Sequence, residues 1–411
     1  MADTQSRNQY SKSKNKRRRS NNRRRKVNPN YIPKPTGPTE PGEGILVLQK
    51  DGSGVLRFAE NNYLPSEDDI YVPPGLTNMH KLKDGSYIKG QVGEPKRPGQ
   101  KRLLAEVEEV DGMAPEDRAA LKPFSQLMVV DPEPQIVLEP GEGEDDMSLR
   151  VIDLLAPIGR GQRGLIVAPP RSGKTVLLRK IAHATAERYP DIHLIVLLID
   201  ERPEEATGWK RAIEHGEVLC STLDEGPRNH VQVAEIALQR AHRLVESGKD
   251  VMIILDSITR LARAYNSESS GRGGIMSGGL GSKVLEKPKK FFGSARNIEE
   301  GGSLTILATT LIETGSRADT VIFEEFKGTG NMELVLSRQL AERRIWPAID
   351  VEMSGTRREE LLLPKEAIDR IYTLRRVLAR MNSMDAMPLL IQQLEKTESN
   401  AQFLASFKVN E

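Results

Sequence analysis

The fold of this chain is decided by residues 164–175, which read Gly-Leu-Ile-Val-Ala-Pro-Pro-Arg-Ser-Gly-Lys-Thr. An apolar run that suits a buried strand leads into a loop, and the segment that follows has helix-compatible apolar spacing. The loop fits the consensus G-x-x-x-x-G-K-[ST], with Ala168 at the first glycine, where the main requirement is a small side chain. The stretch therefore predicts a P-loop, in which backbone N–H groups at a helix N-terminus bind phosphate.

Within this loop each residue type has its own role. Lys174 is placed to bridge the terminal phosphates of a nucleotide, and the Thr175 hydroxyl is placed to hold Mg²⁺. A glycine-rich turn that arises by chance is the alternative, and it is disfavoured because strand, loop and helix occur in the required order. The loop predicts a nucleotide with Mg²⁺ and does not by itself fix ATP over other nucleotides. The predicted nucleotide-binding residues of the loop are Pro170, Arg171, Ser172, Gly173, Lys174, Thr175 and Val176.

Two carboxylates follow strong apolar runs downstream of the loop. Because ligands of α/β sheets bind beyond the carboxyl ends of the strands, both acids are expected near the nucleotide. Asp256 has the pattern of a Walker B acid that holds Mg²⁺, and Glu201 is the best-placed carboxylate to orient an attacking water and accept its proton. Asp200 and Glu204 compete for the second role, and a helix cap is the structural alternative for Glu201.

The composition describes a chain with a large core and no membrane segment. Its hydrophobic residues make up 37% of 411, and the strongest apolar runs, 194–199 and 251–255, are far shorter than a bilayer span. The chain lacks an apolar leader and has Cys220 as its single cysteine, which argues against secretion and disulfides. We expect a cytoplasmic protein.

The net charge of +2 conceals a division between the two ends of the chain. Residues 1–39 contain 12 basic residues and only Asp3 as an acid, so the remainder is acidic overall. We interpret residues 1–43 as a disordered basic arm, because they offer almost nothing to bury. The arm suits an electrostatic clamp on nucleic-acid phosphates, and a solubilising tail is the alternative.

Residues 44–112 show short strands broken by turns, which predicts a small β-barrel. The pattern resembles a cold-shock-type OB domain, whose exposed aromatics stack on single-stranded bases. Tyr71 and Phe58 are candidate platforms, and ordinary packing is the alternative for each. Residues 113–147, rich in proline and acids, look like a connector. Beyond it, from residue 148 to 411, strands alternate with helices, which predicts an α/β domain with a mostly parallel sheet.

At this point the motifs are similar to one family, the bacterial transcription termination factors named Rho. The match is dense over residues 148–411 and includes the segments 168–175, 198–205, 256–266 and 326–331. The resemblance implies an OB domain followed by a RecA-like P-loop ATPase domain. It further implies a homohexameric, RNA-dependent ATPase with helicase activity that translocates 5′ to 3′ on single-stranded RNA and releases transcripts from the RNA polymerase elongation complex.

The resemblance also implies roles for individual residues at the nucleotide and RNA sites. It implies that Glu201 is the catalytic base, that Lys174 and Asp256 serve the phosphates and Mg²⁺, and that Arg357 is an arginine finger donated across a subunit interface. The further residues it implies are Arg202 and Arg344 at the phosphates, Trp346 on the adenine, Arg272 and Arg317 in two pore loops that touch RNA, and Arg57, Tyr71, Lys101 and Arg102 on the RNA-binding face of the barrel.

Departures from the family pattern concentrate in the barrel. Ser53 and Val55 stand where aromatic residues are usual, and Gln100-Lys101-Arg102 replaces an acidic-basic-aromatic cluster. Base stacking is worth about 1–3 kcal/mol per base, so the loss of two platforms weakens a pyrimidine-selective site. We expect the basic arm to supply sequence-indifferent RNA attraction instead.

Two other functions compete with a motor. One is a non-motor RNA-binding protein with a relict nucleotide site, and the intact P-loop and acids argue against it. The other is the catalytic subunit of a rotary ATPase, which shares a β-barrel and a RecA-like domain but has no use for a basic arm or RNA-facing pore loops. Stimulation of ATP hydrolysis by RNA separates the three.

Overall fold

The computed structural model describes residues 31–97, 99–141, 146–269, 281 and 283–407. Most of the predicted basic arm and the predicted pore-loop residue Arg272 lie outside the described residues. Within the described ranges, no helix combines the length and the apolar character needed to cross a membrane.

A closed five-stranded barrel forms the first domain. Its core is filled by alternating aliphatic side chains such as Leu46, Leu56, Ile88 and Leu104, which are almost fully buried. The strands follow the order β1-β2-β3-β5-β4 around the barrel. The elements are β1 (Thr36–Leu48), β2 (Gly54–Arg57), β3 (Ile70–Val72), α1 (Pro74–Met79), β4 (Tyr87–Glu94) and β5 (Leu103–Val110).

The first strand begins at Thr36, eight residues before the predicted boundary at residue 44, so the predicted arm of residues 1–43 is too long. This part of β1 pairs antiparallel with β4, from Thr36 opposite Glu94 to Gly44 opposite Ile88. The pairing uses the backbone, while most of the side chains are exposed, so the sequence shows no apolar alternation there.

The predicted connector contains structure of its own. Its elements are α2 (Pro115–Ala120), a 3₁₀ turn (Phe124–Gln126) and β6 (Val129–Val130). Arg118 of α2 is buried and donates to Asp111 and to Glu246, each at 2.7 Å. Because Asp111 follows the barrel and Glu246 belongs to α6 of the second domain, this segment links the two domains.

The second domain, residues 148–411, is built on one large twisted sheet. Its main strands lie in the order β14-β13-β7-β12-β10-β8-β9, and all neighbours from β13 to β9 are parallel. The strands are β7 (Arg163–Ala168), β8 (Ile192–Glu201), β9 (Glu217–Thr222), β10 (Asp250–Asp256), β11 (Arg296–Ile298), β12 (Ser303–Leu311), β13 (Met332–Val335) and β14 (Gly355–Thr356). The short β11 pairs antiparallel with the first residues of the central strand β12 and also with β6.

Helices cover the sheet and leave the carboxyl ends of the central strands for the site. They are α3 (Met147–Leu155), α4 (Lys174–Arg188), α5 (Pro203–Ala212), α6 (Pro227–Glu246), α7 (Ile258–Ser269), α8 (Glu286–Phe292), α9 (Arg317–Lys327), α10 (Arg338–Glu342), α11 (Lys365–Leu378), α12 (Ser383–Leu394) and α13 (Asn400–Ala405). The predicted α/β fold with a preceding barrel is confirmed.

Candidate nucleotide and RNA sites

The P-loop connects the carboxyl end of β7 to the N-terminus of α4. Its backbone passes through the left-handed region at Arg171 (φ 64°) and Gly173 (φ 84°), and α4 begins at Lys174. A Cβ built on Gly173 would lie 2.5 Å from the Trp346 ring. Glycine is therefore required at this position both for the turn and for the close approach of the aromatic ring.

Lys174 lies between the two predicted acids. Its Nζ is 2.5 Å from Asp256 Oδ1 and 3.4 Å from Glu201 Oε1. The carboxylates meet because β8 and β10 are neighbouring parallel strands that end at the same edge of the sheet. Both are nearly inaccessible, with 4% of Glu201 and 1% of Asp256 exposed. The fold thus brings together three residues that are 27 to 82 positions apart.

One carboxylate oxygen of Asp256 accepts hydrogen bonds within the protein, and the other is available to a ligand. Its Oδ1 accepts hydrogen bonds from Lys174 and from the Thr309 hydroxyl at 2.7 Å, whereas Oδ2 is buried and unbonded in the described structure. A buried carboxylate oxygen without a partner is costly, and a divalent cation satisfies it. Among the described residues, no group of three or more His, Cys, Asp or Glu side chains is arranged to hold a metal ion.

Glu201 has a second basic neighbour that the sequence analysis did not single out. Arg260 Nη1 lies 3.2 Å from Glu201 Oε1 and also donates to the carbonyl oxygen of Asp200. Burial, with the negative charge of Asp256 next, raises the pKa of Glu201 above its ordinary value. Arg260 lies in the first turn of α7, and its contact with Glu201 depends on the pairing of β8 with β10, so no local spacing in the sequence identifies it.

The nucleotide base has a candidate pocket beside the loop. A cavity of about 350 Å³ opens next to Gly173, and its apolar walls include the exposed Val176 and Trp346, which is 45% accessible. Its other end is polar, because Lys180 donates to Ser148 at 3.1 Å there. Within the described ranges, the exposed aromatic side chains are Tyr31, Trp346 and Tyr372. An accessible tryptophan beside a P-loop offers an apolar ring face on which a base can stack.

The three predicted arginines are exposed, and Arg357 lies beside the amino ends of β13 and β7, at the opposite edge of the sheet from the P-loop. Arg202 precedes α5, Arg344 follows α10 in the left-handed region, and Arg357 follows β14. Since β14 is two strands away from β7, Arg357 belongs to the outer edge of the sheet. That edge position suits a residue that acts on a neighbouring subunit.

In the barrel, two of the predicted RNA-binding cations contact a buried acid. Asp69, 3% exposed, lies 3.8 Å from Arg57 Nε and 3.2 Å from Lys101 Nζ. Arg57 also donates to the Tyr63 carbonyl at 3.1 Å and is largely buried, so its first role is structural. The sequence analysis did not give Asp69 a role.

The other two predicted contacts of the barrel differ in accessibility. Tyr71 is half-buried on β3, and Arg102 is half-buried and paired with the exposed Glu40. Ser53 and Val55 are buried, so neither presents a surface to a base. Two stacking positions of the family pattern are therefore closed in this barrel, and the half-buried Tyr71 and Phe58 remain as its candidate platforms.

The second predicted pore loop is held by an ion pair at its base. Arg317 begins α9 and is exposed. Two residues further on, buried Asp319 accepts hydrogen bonds from Arg263 at 2.9 and 2.6 Å and from Thr314 at 2.6 Å. These hydrogen bonds fix the first turn of α9, so the exposed Arg317 projects from a well-anchored backbone.

Comparisons with known proteins agree with the division of the chain into an N-terminal barrel and a P-loop domain. A family profile described as "ATP synthase alpha/beta family, nucleotide-binding domain" matches residues 148–356. A second, described as "Rho termination factor, RNA-binding domain", matches residues 42–116. A solved structure of an ATPase from a bacterial type III secretion system aligns with a TM-score of 0.55 and 24% identity over 70% of this chain and 78% of that one, which shows the shared fold.

Curated relatives give the family. The transcription termination factor Rho of Rhodopirellula baltica is 52% identical over 368 residues, covering 89% of this chain and 71% of that protein. The Rho proteins of Pseudomonas aeruginosa and Escherichia coli are each 50% identical over 368 residues, covering 89% of this chain and 88% of the relative. At this identity and coverage, with a complete P-loop site and an RNA-binding barrel, the chain belongs to the family of Rho transcription termination factors.

Proposed function

We propose that this chain is a transcription termination factor that hydrolyses ATP and moves 5′ to 3′ along single-stranded RNA as a homohexamer. In this role it unwinds RNA/DNA hybrids, releases transcripts from RNA polymerase and works in the cytoplasm. The observation that carries the proposal is the buried cluster of Lys174, Asp256 and Glu201 at the P-loop.

The cluster supports hydrolysis rather than nucleotide binding alone. Glu201, held by Lys174 and Arg260, is placed to orient a water molecule and accept its proton. Thr175 and the unbonded oxygen of Asp256 are the groups that would hold Mg²⁺, which neutralises the developing charge on the phosphates. A relict site would have no reason to retain two buried carboxylates, since their desolvation is costly.

The proposal is tested by ATP hydrolysis with and without RNA. We expect strong stimulation by poly(C), by poly(U) and by mixed-sequence RNA, since buried Ser53 and Val55 stand at two positions where the family pattern has aromatic residues. Hydrolysis that no RNA stimulates would remove the translocase and leave the non-motor RNA-binding protein. Stimulation by poly(C) alone would contradict the relaxed preference.

Replacing Trp346 by alanine should raise the KM for ATP about tenfold and leave kcat nearly unchanged. The ring stacks on the base, and a stacking contact of about 1–3 kcal/mol is lost uniformly from ground and transition states. Steady-state kinetics at saturating RNA measure the effect. The control is Trp346→Phe, which keeps an aromatic face and should remain within threefold of the wild type. A fall in kcat without a change in KM would refute the stacking role.

Deleting residues 1–30 should remove most of the salt dependence of RNA binding. This segment carries 11 basic residues and one acid, and its deletion leaves β1 intact from Thr36. For single strands the slope of log K against log salt is about −0.7 per phosphate neutralised, so the slope should become much shallower. Anisotropy of a labelled RNA over a salt series is the measurement. A variant of full length with the arm's lysines and arginines changed to glutamine controls for length, and an unchanged slope in both would show that the arm is only a solubilising tail.

A further inference from the structure

The segment 326–331, Phe-Lys-Gly-Thr-Gly-Asn, has no part in the nucleotide site described above. It joins α9 to β13 and ends at Asn331, immediately before the strand that separates β7 from β14. Asn331 therefore lies between the strand that leads to the P-loop and the strand that leads to Arg357.

The side chain of Asn331 is fixed by the start of the P-loop strand. Its Oδ1 accepts two hydrogen bonds, from the backbone N–H of Arg163 at 2.8 Å and from Gln162 Nε2 at 2.7 Å. Gln162 is fully buried, and its own Oε1 accepts the N–H of Gly159 at 3.1 Å. Because both ends of the Gln162 amide are bonded, the position of Asn331 is strongly restrained.

The backbone of Asn331 holds the predicted finger. Its carbonyl accepts the N–H of Arg357 at 2.9 Å, and its own N–H donates to the carbonyl of Arg163 at 3.0 Å. The strand that carries the finger, β14, contributes only two register pairs with β13, Met332 with Thr356 and Glu333 with Gly355. The bond from Arg357 to Asn331 extends this short ladder to the finger itself.

The surroundings of Arg357 favour an outward orientation. The guanidinium group of Arg163 is fixed by two hydrogen bonds: Nε donates to the Thr329 carbonyl and Nη1 donates to the Ala295 carbonyl, each at 3.1 Å. Burial first and then the charge of Arg357 lower the pKa of Arg163, so the two guanidinium groups repel each other. Repulsion from this fixed arginine disfavours conformations in which the exposed Arg357 folds back over the start of β7.

We propose that Asn331 is a positioning residue that sets the register of Arg357, and through it the ATP site of the adjacent subunit. The proposal rests on the proposed function, in which Arg357 acts across the subunit interface. It also implies that the P-loop strand of one subunit and the finger that serves the next site move as one unit, because Asn331 bonds to both.

The first test is the ATPase activity of two variants at saturating RNA. Asn331→Ala removes the acceptor and should lower kcat about tenfold to a hundredfold, since displacement of a catalytic group by about 1 Å costs that much. Affinity for a fluorescent ATP analogue should stay within threefold, because the variant's own P-loop site is intact. Asn331→Asp keeps an acceptor oxygen for both donors and should stay within threefold of the wild-type kcat.

The second test mixes subunits. Asn331→Ala subunits have an intact ATP site and a displaced finger, while Glu201→Gln subunits have an inactive site and an intact finger. Mixed rings place intact sites beside intact fingers, so their activity should exceed the sum of the two separate preparations. A variant that is merely misfolded gives no such recovery.

Three results would overturn the inference: an unchanged kcat in Asn331→Ala, an equal loss in Asn331→Asp, or no recovery in mixed rings. Failure of the proposed function looks different. In that case the wild type shows no RNA-stimulated hydrolysis, or Arg357→Ala keeps full kcat while Asn331→Ala loses it.

Discussion

Glu201→Gln is expected to lower the RNA-stimulated kcat by about 10² to 10⁴-fold while nucleotide affinity stays close to that of the wild type. Glutamine is nearly isosteric and keeps a hydrogen-bonding oxygen for Lys174 and Arg260, but it accepts no proton at neutral pH. The measurement is ATP turnover at saturating RNA, with binding of a fluorescent ATP analogue as the second readout.

The matched control is Glu204→Gln. Glu204 is an exposed carboxylate in the first turn of α5, three residues after Glu201. The substitution Glu204→Gln makes the same chemical change outside the cluster of Lys174 and Arg260. We expect it to retain activity within threefold. If Glu204→Gln is inactive and Glu201→Gln is active, the base has been assigned to the wrong carboxylate.

The pH dependence of kcat gives an independent readout of the same group. Glu201 acts as a base only when it is ionised, so its raised pKa moves the acidic limb of the profile above the usual range for glutamate, and activity falls as the pH drops through that pKa. The positive charge of Arg260 opposes this shift. In Arg260→Gln the acidic limb should therefore move to higher pH, and a limb that stays in place would argue against their contact.

Arg357→Ala is expected to lower kcat by about 10³-fold or more, with ATP binding retained. A finger donated by a neighbour stabilises charge that develops in the transition state, and such arginines are worth about 10³ to 10⁵ in rate. Since Arg357 lies beyond the edge strand of its own sheet, its loss leaves the P-loop cluster of the same chain untouched.

Arg358→Ala is the matched control for the finger. Arg358 is the adjacent exposed arginine and pairs with Asp131 of its own chain at 2.5 Å, which is a surface contact worth about 0–1 kcal/mol. We expect wild-type turnover from it. Mixing Arg357→Ala with Glu201→Gln subunits should restore part of the activity, and an absence of recovery would place Arg357 in its own site instead of its neighbour's.

The sequence was sufficient for the features that are local in the chain. The strand, loop and helix of residues 164–175 are contiguous, so their spacing alone predicts the P-loop that the structure has. Glu201 and Asp256 were also found from sequence, because each follows an apolar strand and parallel strands end at one edge of the sheet. The family followed from several such contiguous motifs.

Only the tertiary structure showed how distant residues share hydrogen bonds. Thr309 reaches Asp256 across two neighbouring strands, and Arg260 reaches Glu201 from a helix that starts 57 positions after it. The start of β1 at Thr36 was missed because an exposed strand is held by its backbone ladder and carries no apolar signal. Asn331 was visible as part of a motif, yet its link to Arg357 depends on strand order, which no local spacing encodes.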